Sequence, residues 1–246
     1  MSRLNPHTFL SPLHMSQSVV PMIEIPEPIR NTVRKRFAKE LVGKVRLVFF
    51  SQEMECQFCA QARELLQQVA SWSDKITLEV RDFVRNKEEA KALGIDKIPA
   101  LAVLGEKGSR IRFFGVPSGY EFQTLTDAIV FVSSGKTQMP AAAVAELNKV
   151  ATKPIHIQVF VLPTCPVCPV VASLAVQLAL TNENVTTHVV EIAEFPQLAT
   201  RYHVVGIPKV VINETTQFEG LIPLAEFLRH IQRAVQGSPT GVSPTI

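Results

Sequence analysis

The 246-residue chain is short of several things, and each shortage excludes a class of function. Its formal net charge is only +3, and no lysine- and arginine-dense face with interleaved aromatics is visible, which argues against a nucleic-acid partner. The basic cluster Arg34-Lys35-Arg36 reads as a solvated helix face. There is no GxGxxG, so no bound flavin or nicotinamide is expected. The longest apolar stretch, Val167 to Leu180, is 14 residues and contains Ser173 and Gln177, short of the roughly 20 that a bilayer span needs. No membrane partner is expected. The first 26 residues carry Pro6, Pro12, Pro21 and Pro26 but no uninterrupted apolar h-region, which speaks against a signal peptide and makes the cytoplasm the expected location.

Cysteine is scarce too: there are four, and all fall in two CxxC pairs. Cys165-Pro166-Val167-Cys168 follows an apolar run, and Cys56-Gln57-Phe58-Cys59 follows another, Val45 to Phe50. Each pair precedes an isoleucine-proline step at the same distance, Cys56 to Pro99 and Cys165 to Pro208, both 43 residues. The copies are therefore offset by 109 residues, an internal duplication whose repeats are domain-sized. In a reducing compartment such pairs are catalytic or metal-binding more often than structural.

A thiol attacks only as thiolate, and a CxxC at a helix start lowers the pKa of its first cysteine through unpaired backbone N–H groups and the helix dipole. Cys56 and Cys165 are thus expected to attack, with Cys59 and Cys168 resolving the mixed disulfide. Pro166 is expected in the first helical turn. Because Glu53 and Glu55 flank Cys56 while no acid adjoins Cys165, the Cys165 thiol is expected to have the lower pKa.

Along the chain, residues 1–27 read as a mobile tail. An amphipathic helix with Ile29, Val33, Phe37 and Leu41 on one side follows, ending near Gly43. Strand Val45 to Phe50 leads to a helix from Cys56 that buries Phe58, Ala62, Leu65, Leu66, Val69 and Trp72. Then come strand Ile76 to Val80, helix Asn86 to Leu93, and a hairpin of Ala100 to Leu104 with Arg110 to Phe114. A capping-box pattern, Ser118-Gly119-Tyr120-Glu121, opens the last helix of the first copy. The second copy repeats the order: helix Pro140 to Val150, strand Ile155 to Val161, the Cys165 helix, strand Thr186 to Ile192, and a helix around Phe195 to Tyr202. A hairpin, Lys209 to Ile212 with Thr216 to Phe218, and helix Pro223 to Val235 complete it. The helix after Cys165 is apolar round much of its circumference, so it is expected to be buried on more than one side. Unit boundaries are placed at 28–136 and 137–236, with 237–246 a second mobile tail.

This order, α/β with CxxC after the first strand of each copy, is that of two tandem thioredoxin folds. Cys56-Gln57-Phe58-Cys59, Pro99, Phe114-Gly115-Val116-Pro117-Ser118-Gly119-Tyr120-Glu121-Phe122, Pro163 to Pro169 and Gly206-Ile207-Pro208-Lys209 together resemble the protein disulfide oxidoreductases. The resemblance covers about residues 29 to 235. It implies two units with mixed sheets flanked by helices and joined into one extended sheet, with two redox-active disulfides, Cys56–Cys59 and Cys165–Cys168, as the redox groups. Their task would be to reduce, form or isomerise disulfides in client proteins. It also implies that Pro99 and Pro208 are cis and that Ile98-Pro99 and Ile207-Pro208 offer backbone to a client. A thioredoxin-reductase-like flavoprotein is the implied electron donor. The chain departs from many thioredoxins in having Phe50 and Val159 where a buried aspartate stands six residues before the first cysteine, so no acid/base is identified.

Two other functions compete. Four thiolates could bind zinc or an iron-sulfur cluster, although 105 residues separate Cys59 from Cys165, against about 15 to 20 in ribbon-like sites. The fold could also serve as a non-catalytic binding module, since fold does not fix function. His203, near Pro208, admits a catalytic reading but reads first as a surface or packing residue, as do His156 and His188. Phe113, Phe114 and Phe218 read as hairpin core.

Overall fold

The computed structural model describes residues 23–237. The first half runs α1 (Glu27–Glu40), β1 (Val45–Ser51), α2 (Cys59–Ala70), β2 (Ile76–Asp82), α3 (Lys87–Ala92), β3 (Ala100–Leu104), β4 (Ile111–Phe114) and α4 (Glu121–Ser134). The second half repeats it as α5 (Ala141–Val150), β5 (Ile155–Val161), α6 (Cys168–Thr181), β6 (Val185–Glu191), a 3-10 turn (Ile192–Glu194), α7 (Pro196–Arg201), β7 (Lys209–Ile212), β8 (Thr216–Glu219) and α8 (Leu224–Gly237).

All eight strands form one mixed sheet in the order β2-β1-β3-β4-β6-β5-β7-β8. In each half the first strand pairs in parallel with the second and antiparallel with the third, which turns back as a hairpin. The halves join where β4 runs parallel to β6, with Ile111 opposite Thr187 and Phe114 opposite Val190. This is the extended sheet that the resemblance implied.

Successive strand side chains point to opposite faces, so β1 sends Leu47 and Phe49 into one core and Val48 and Phe50 into the other. With both faces covered, strands need no polar alternation, and β1, β3 and β5 are apolar nearly throughout. The larger core receives α1, α2, α4, α6 and α8. The smaller, on the other face, receives Ala90 of α3 and Leu198 and Ala199 of α7. Helix α6 packs on β5 and β6 and also against α4 of the first half, so its all-round apolar character has two layers to meet. Helix α4 is buried from Thr124 to Ser133, is tied to α1 by the Arg36–Asp127 ion pair, and ends at Gly135 in the left-handed region (φ +64°).

Several expectations need correction. Both cysteine helices begin at the second cysteine, not the first, so Pro166 lies in the preceding turn and Pro169 occupies the first helical turn. The capping box does not form. Helix α4 starts at Glu121 itself, with Tyr120 at the N-cap and no side-chain cap, because Gly119 (φ +58°) turns the chain and the Tyr120 N–H is taken by the Pro163 carbonyl at 2.9 Å. Ile29 is 46% exposed, and the apolar contact at that end of α1 comes from Ile25, buried at 4%. Residues 23–27 of the expected tail are thus packed: the Ile23 carbonyl also accepts a hydrogen bond from Gln68. The rest of that tail, and 238–246 of the second, lie outside the described residues.

Candidate active site

Strands β1 and β5 deliver the cysteines to the same edge of the sheet, but through loops of different length. Ser51 and Val161 end the equivalent strands, and four residues separate Ser51 from Cys56 whereas three separate Val161 from Cys165. The extra residue falls in Gln52 to Glu55, where Glu55 adopts φ +61°. It also shifts the comparison made from cysteine spacing: Phe50 faces the smaller core, and Phe49 is the residue on the α2 side, where Val159 stands in the second half.

Each pair is a disulfide, with Cα atoms 5.4 Å apart for Cys56–Cys59 and 5.5 Å for Cys165–Cys168. In both, the first cysteine is the more open one. Cys59 and Cys168 are 3% and 0% exposed, Cys165 is 7%, and Cys56 is half-buried. The Cys168 N–H, an orphan donor of the first helical turn, points at Cys165 Sγ at 3.1 Å, where it would hold a thiolate. The Ile98–Pro99 and Ile207–Pro208 peptides are both cis, each leading directly into the strand beside its cysteine strand. Ile98 and Ile207 are half-buried. His203 is exposed with φ +50°, and its carbonyl, not its ring, makes the contact there, accepting from Lys209 Nζ at 3.1 Å. His156 and His188 form a hydrogen-bonded pair 2.9 Å apart, and burial pushes both pKa values down, His156 to about 4. Phe113 and Phe114 are core residues and Phe218 is half-buried.

The rims differ. Around Cys165 lie exposed Tyr120, Val167, Val170 and Val205, whereas the loop before Cys56 exposes Glu53, Met54 and Glu55. Tyr120 belongs to the first half, so the second site is walled partly by its neighbour. A β-carbon at Gly119 would sit 2.3 Å from the Pro163 carbonyl, which shows how closely this seam is packed.

Beneath that seam lies a residue whose sequence pattern marks it as part of a helix cap. Glu121 is 1% exposed and neither carboxyl oxygen has a hydrogen-bond partner. Burial pushes its pKa up to about 7; the Thr124 hydroxyl is near enough to temper the rise but not in hydrogen-bonding geometry. It lines a water-sized cavity with Gly115, Val116, Val161 and Glu191. Close by, Glu194 accepts from the Val116 N–H at 2.7 Å and is also pushed up to about 7, first by burial and then by the charge of Glu191. A signal of this burial is present in the sequence: Glu121, Leu125, Ala128 and Val132 share one helical face, and the last three are core positions.

The described residues contain no group of three or more His, Cys, Asp or Glu placed to hold a metal ion. The four cysteines close two separate pairs rather than one ligand set, which removes the geometry that a four-thiolate zinc or cluster site requires. No helix among the described residues is long and apolar enough to cross a membrane.

Comparison with known proteins bears on the same arrangement. Residues 155–233 match the model of a thioredoxin domain. The NTD_N/C domain of the alkylhydroperoxide reductase AhpF from Enterococcus faecalis superposes with a TM-score of 0.79 at 27% identity, over 85% of this chain and 100% of that one. A protein disulfide oxidoreductase from Aeropyrum pernix shares the fold with a TM-score of 0.80 at 24% identity, over 89% and 97%. The chain is a tandem thioredoxin-fold thiol-disulfide oxidoreductase. Among curated proteins, the oxidoreductase is 24% identical to an NADH dehydrogenase of Bacillus subtilis and 27% identical to an alkyl hydroperoxide reductase of Staphylococcus epidermidis, over 73% and 62% of its own length. It spans only 32% and 27% of theirs, so it corresponds to one part of those longer chains.

Proposed function

We propose that units 28–136 and 137–236 each carry one working dithiol, and that the second is the principal client site. Cys165 thiolate attacks a client disulfide, forming a mixed disulfide and expelling one client thiolate, which takes a proton. Cys168 then attacks Cys165 Sγ, closing the Cys165–Cys168 disulfide and releasing the second client thiol. Cys56 and Cys59 act likewise. Ile207-Pro208 and Ile98-Pro99 present backbone to the client beside each pair, and the apolar rim of the second site favours an apolar client segment. Glu121, buried and poised near neutral pH, serves the second site as proton carrier, the role for which the sequence offered no aspartate. Relatives named as an NADH dehydrogenase and an alkyl hydroperoxide reductase support an electron supply from a pyridine-nucleotide-fed, thioredoxin-reductase-like flavoprotein, with the cytoplasm as the working compartment.

The observation that carries this reading is the asymmetry within each pair: an accessible first sulfur, held at Cys165 by a backbone N–H, and a buried second one. Reduction of insulin disulfides by dithiothreitol tests it. Cys168→Ser should accumulate an insulin mixed disulfide on Cys165, while Cys165→Ser should form none at that site. Absence of both acceleration by the native protein and trapping by Cys168→Ser would overturn it.

A further inference from the structure

The first site holds a charge that its repeat lacks. Arg63 stands one turn after Cys59 in α2, and the matching place after Cys168 is Ala172, fully buried. Residues four apart on a helix have β-carbons about 5–6 Å apart, and helical side chains lean toward the N-terminus, so Arg63 extends back over the turn that carries Cys59. It reaches the last residue of β1: one guanidinium nitrogen donates to Ser51 Oγ at 3.0 Å, and Ser51 is 2% exposed. The loop from Ser51 to Cys56 and the start of α2 therefore enclose the guanidinium. Its Nε is buried and has no acceptor. The partner of this cation is a hydroxyl, not a carboxylate, which leaves a half-buried positive charge uncompensated while the sulfurs are joined.

We propose that Arg63 is a positioning residue of the first site, a half-buried cation whose counter-charge appears only when the Cys56–Cys59 disulfide is reduced and Cys56 ionises. Its effect is to stabilise the Cys56 thiolate against the opposition of Glu53 and Glu55. Those two carboxylates are exposed and act through water, whereas Arg63 acts from within the protein, where screening is weaker. The proposal rests on the reading of Cys56 as the attacking thiol of this site. It gives the two sites different means of holding a thiolate: a side-chain cation at the first, a backbone N–H at the second.

The test uses the full chain with Cys165 and Cys168 changed to serine, so that only the first pair reacts. Iodoacetamide alkylation of the reduced protein as a function of pH, with the modified cysteine identified by mass spectrometry, gives the thiol pKa. Arg63→Gln should raise the Cys56 pKa by about one unit, a roughly tenfold loss of thiolate on the acid side, since a facing opposite charge shifts a pKa by about 1–3 units. The reduction potential should move by ~30 mV to more negative values, the equivalent of a tenfold change for a two-electron couple. Arg63→Lys should recover most of both shifts, which a purely structural role would not predict. If Arg63→Gln does not fold, Ser51→Ala, which frees the guanidinium from its anchor without removing its charge, should raise the pKa by a smaller amount. An unchanged pKa in the variant that folds overturns the role of Arg63 alone. Alkylation that settles on Cys59 overturns the assignment of the attacking thiol and the proposal with it.

Discussion

The two dithiol sites use the same strand, loop and helix, yet the buried charge beside each has the opposite sign. Next to the first lies Arg63, bonded to Ser51 at the end of β1; next to the second lies Glu121, beside Val161 at the end of β5. The difference follows from chain order. The first half comes before the second in the sheet, so its α4 and the Gly119-Tyr120 turn can pack against α6 and Pro163. Among the described residues no further unit packs on α2 in that way; the segment before α1 lies there instead, with Ile23 bonded to Gln68. A duplicated fold thus makes unlike sites because only one of them has a neighbouring unit on that side.

The largest expected effect comes from removing each pair in turn. If the neighbour-built site is the principal one, changing Cys165 and Cys168 to serine should lower the rate of insulin reduction at least ~10-fold, while the same change at Cys56 and Cys59 should cost less. Equal losses would mean that the borrowed wall and buried acid confer no advantage.

Glu121→Gln comes next. A folded-state pKa of about 7, above the ordinary carboxylate value of 4.5, means that the native state holds a proton that the unfolded chain gives up between these values. Stability from this residue is therefore full below pH 4.5, falls as pH rises toward about 7, and is level above it; the total is on the order of 3 kcal/mol for a shift of this size. The buried His156 works the other way, losing stability as pH falls from 6.5 to about 4, so native protein and variant must be compared pH by pH. Urea unfolding from pH 4 to 8 should show the variant flatter than the native protein. Turnover with the second pair alone should fall about tenfold and lose its inflection near neutral pH. An unaltered pH profile would separate Glu121 from the chemistry.

Gly119→Ala attacks the seam itself. The left-handed φ disfavours a side chain and the new methyl would meet the Pro163 carbonyl, so a loss of about 2 kcal/mol is expected. Activity of the second pair should suffer more than that of the first, by client reduction in single-pair variants.

Local pattern accounts for most of what the sequence made legible. The 43-residue spacing from cysteine to proline, the apolar strands and the helical stripes each depend on neighbours along the chain, and the elements appear within a few residues of their expected places. What escaped depends on contacts across the fold. Ser118 and Glu121 satisfy the local rule for a helix cap, but the Tyr120–Pro163 bond between halves starts the helix later and carries Glu121 inside. Counting back from the cysteines matches Phe50 to Val159, a count that the extra residue in one loop defeats. Arg63 sits at the flank of the buried α2 stripe, where sequence alone reads a solvated cation.

The smallest effect is the difference in thiol pKa between the attacking cysteines. Cys165 has a backbone N–H at 3.1 Å and no adjoining acid; Cys56 has Glu53 and Glu55 in its loop and Arg63 within. The N–H is fixed by the first turn of α6 and costs no rearrangement on ionisation, whereas Arg63 must offset two carboxylates before it yields a net gain. Cys165 should therefore keep the lower pKa, by about one unit or less, when each pair is titrated alone. Arg63→Gln should widen the gap and Glu53→Gln with Glu55→Gln should narrow it. Should Cys56 prove the more acidic thiol in the native protein, the interior cation would outweigh both surface acids, and the first site would be the better poised to attack.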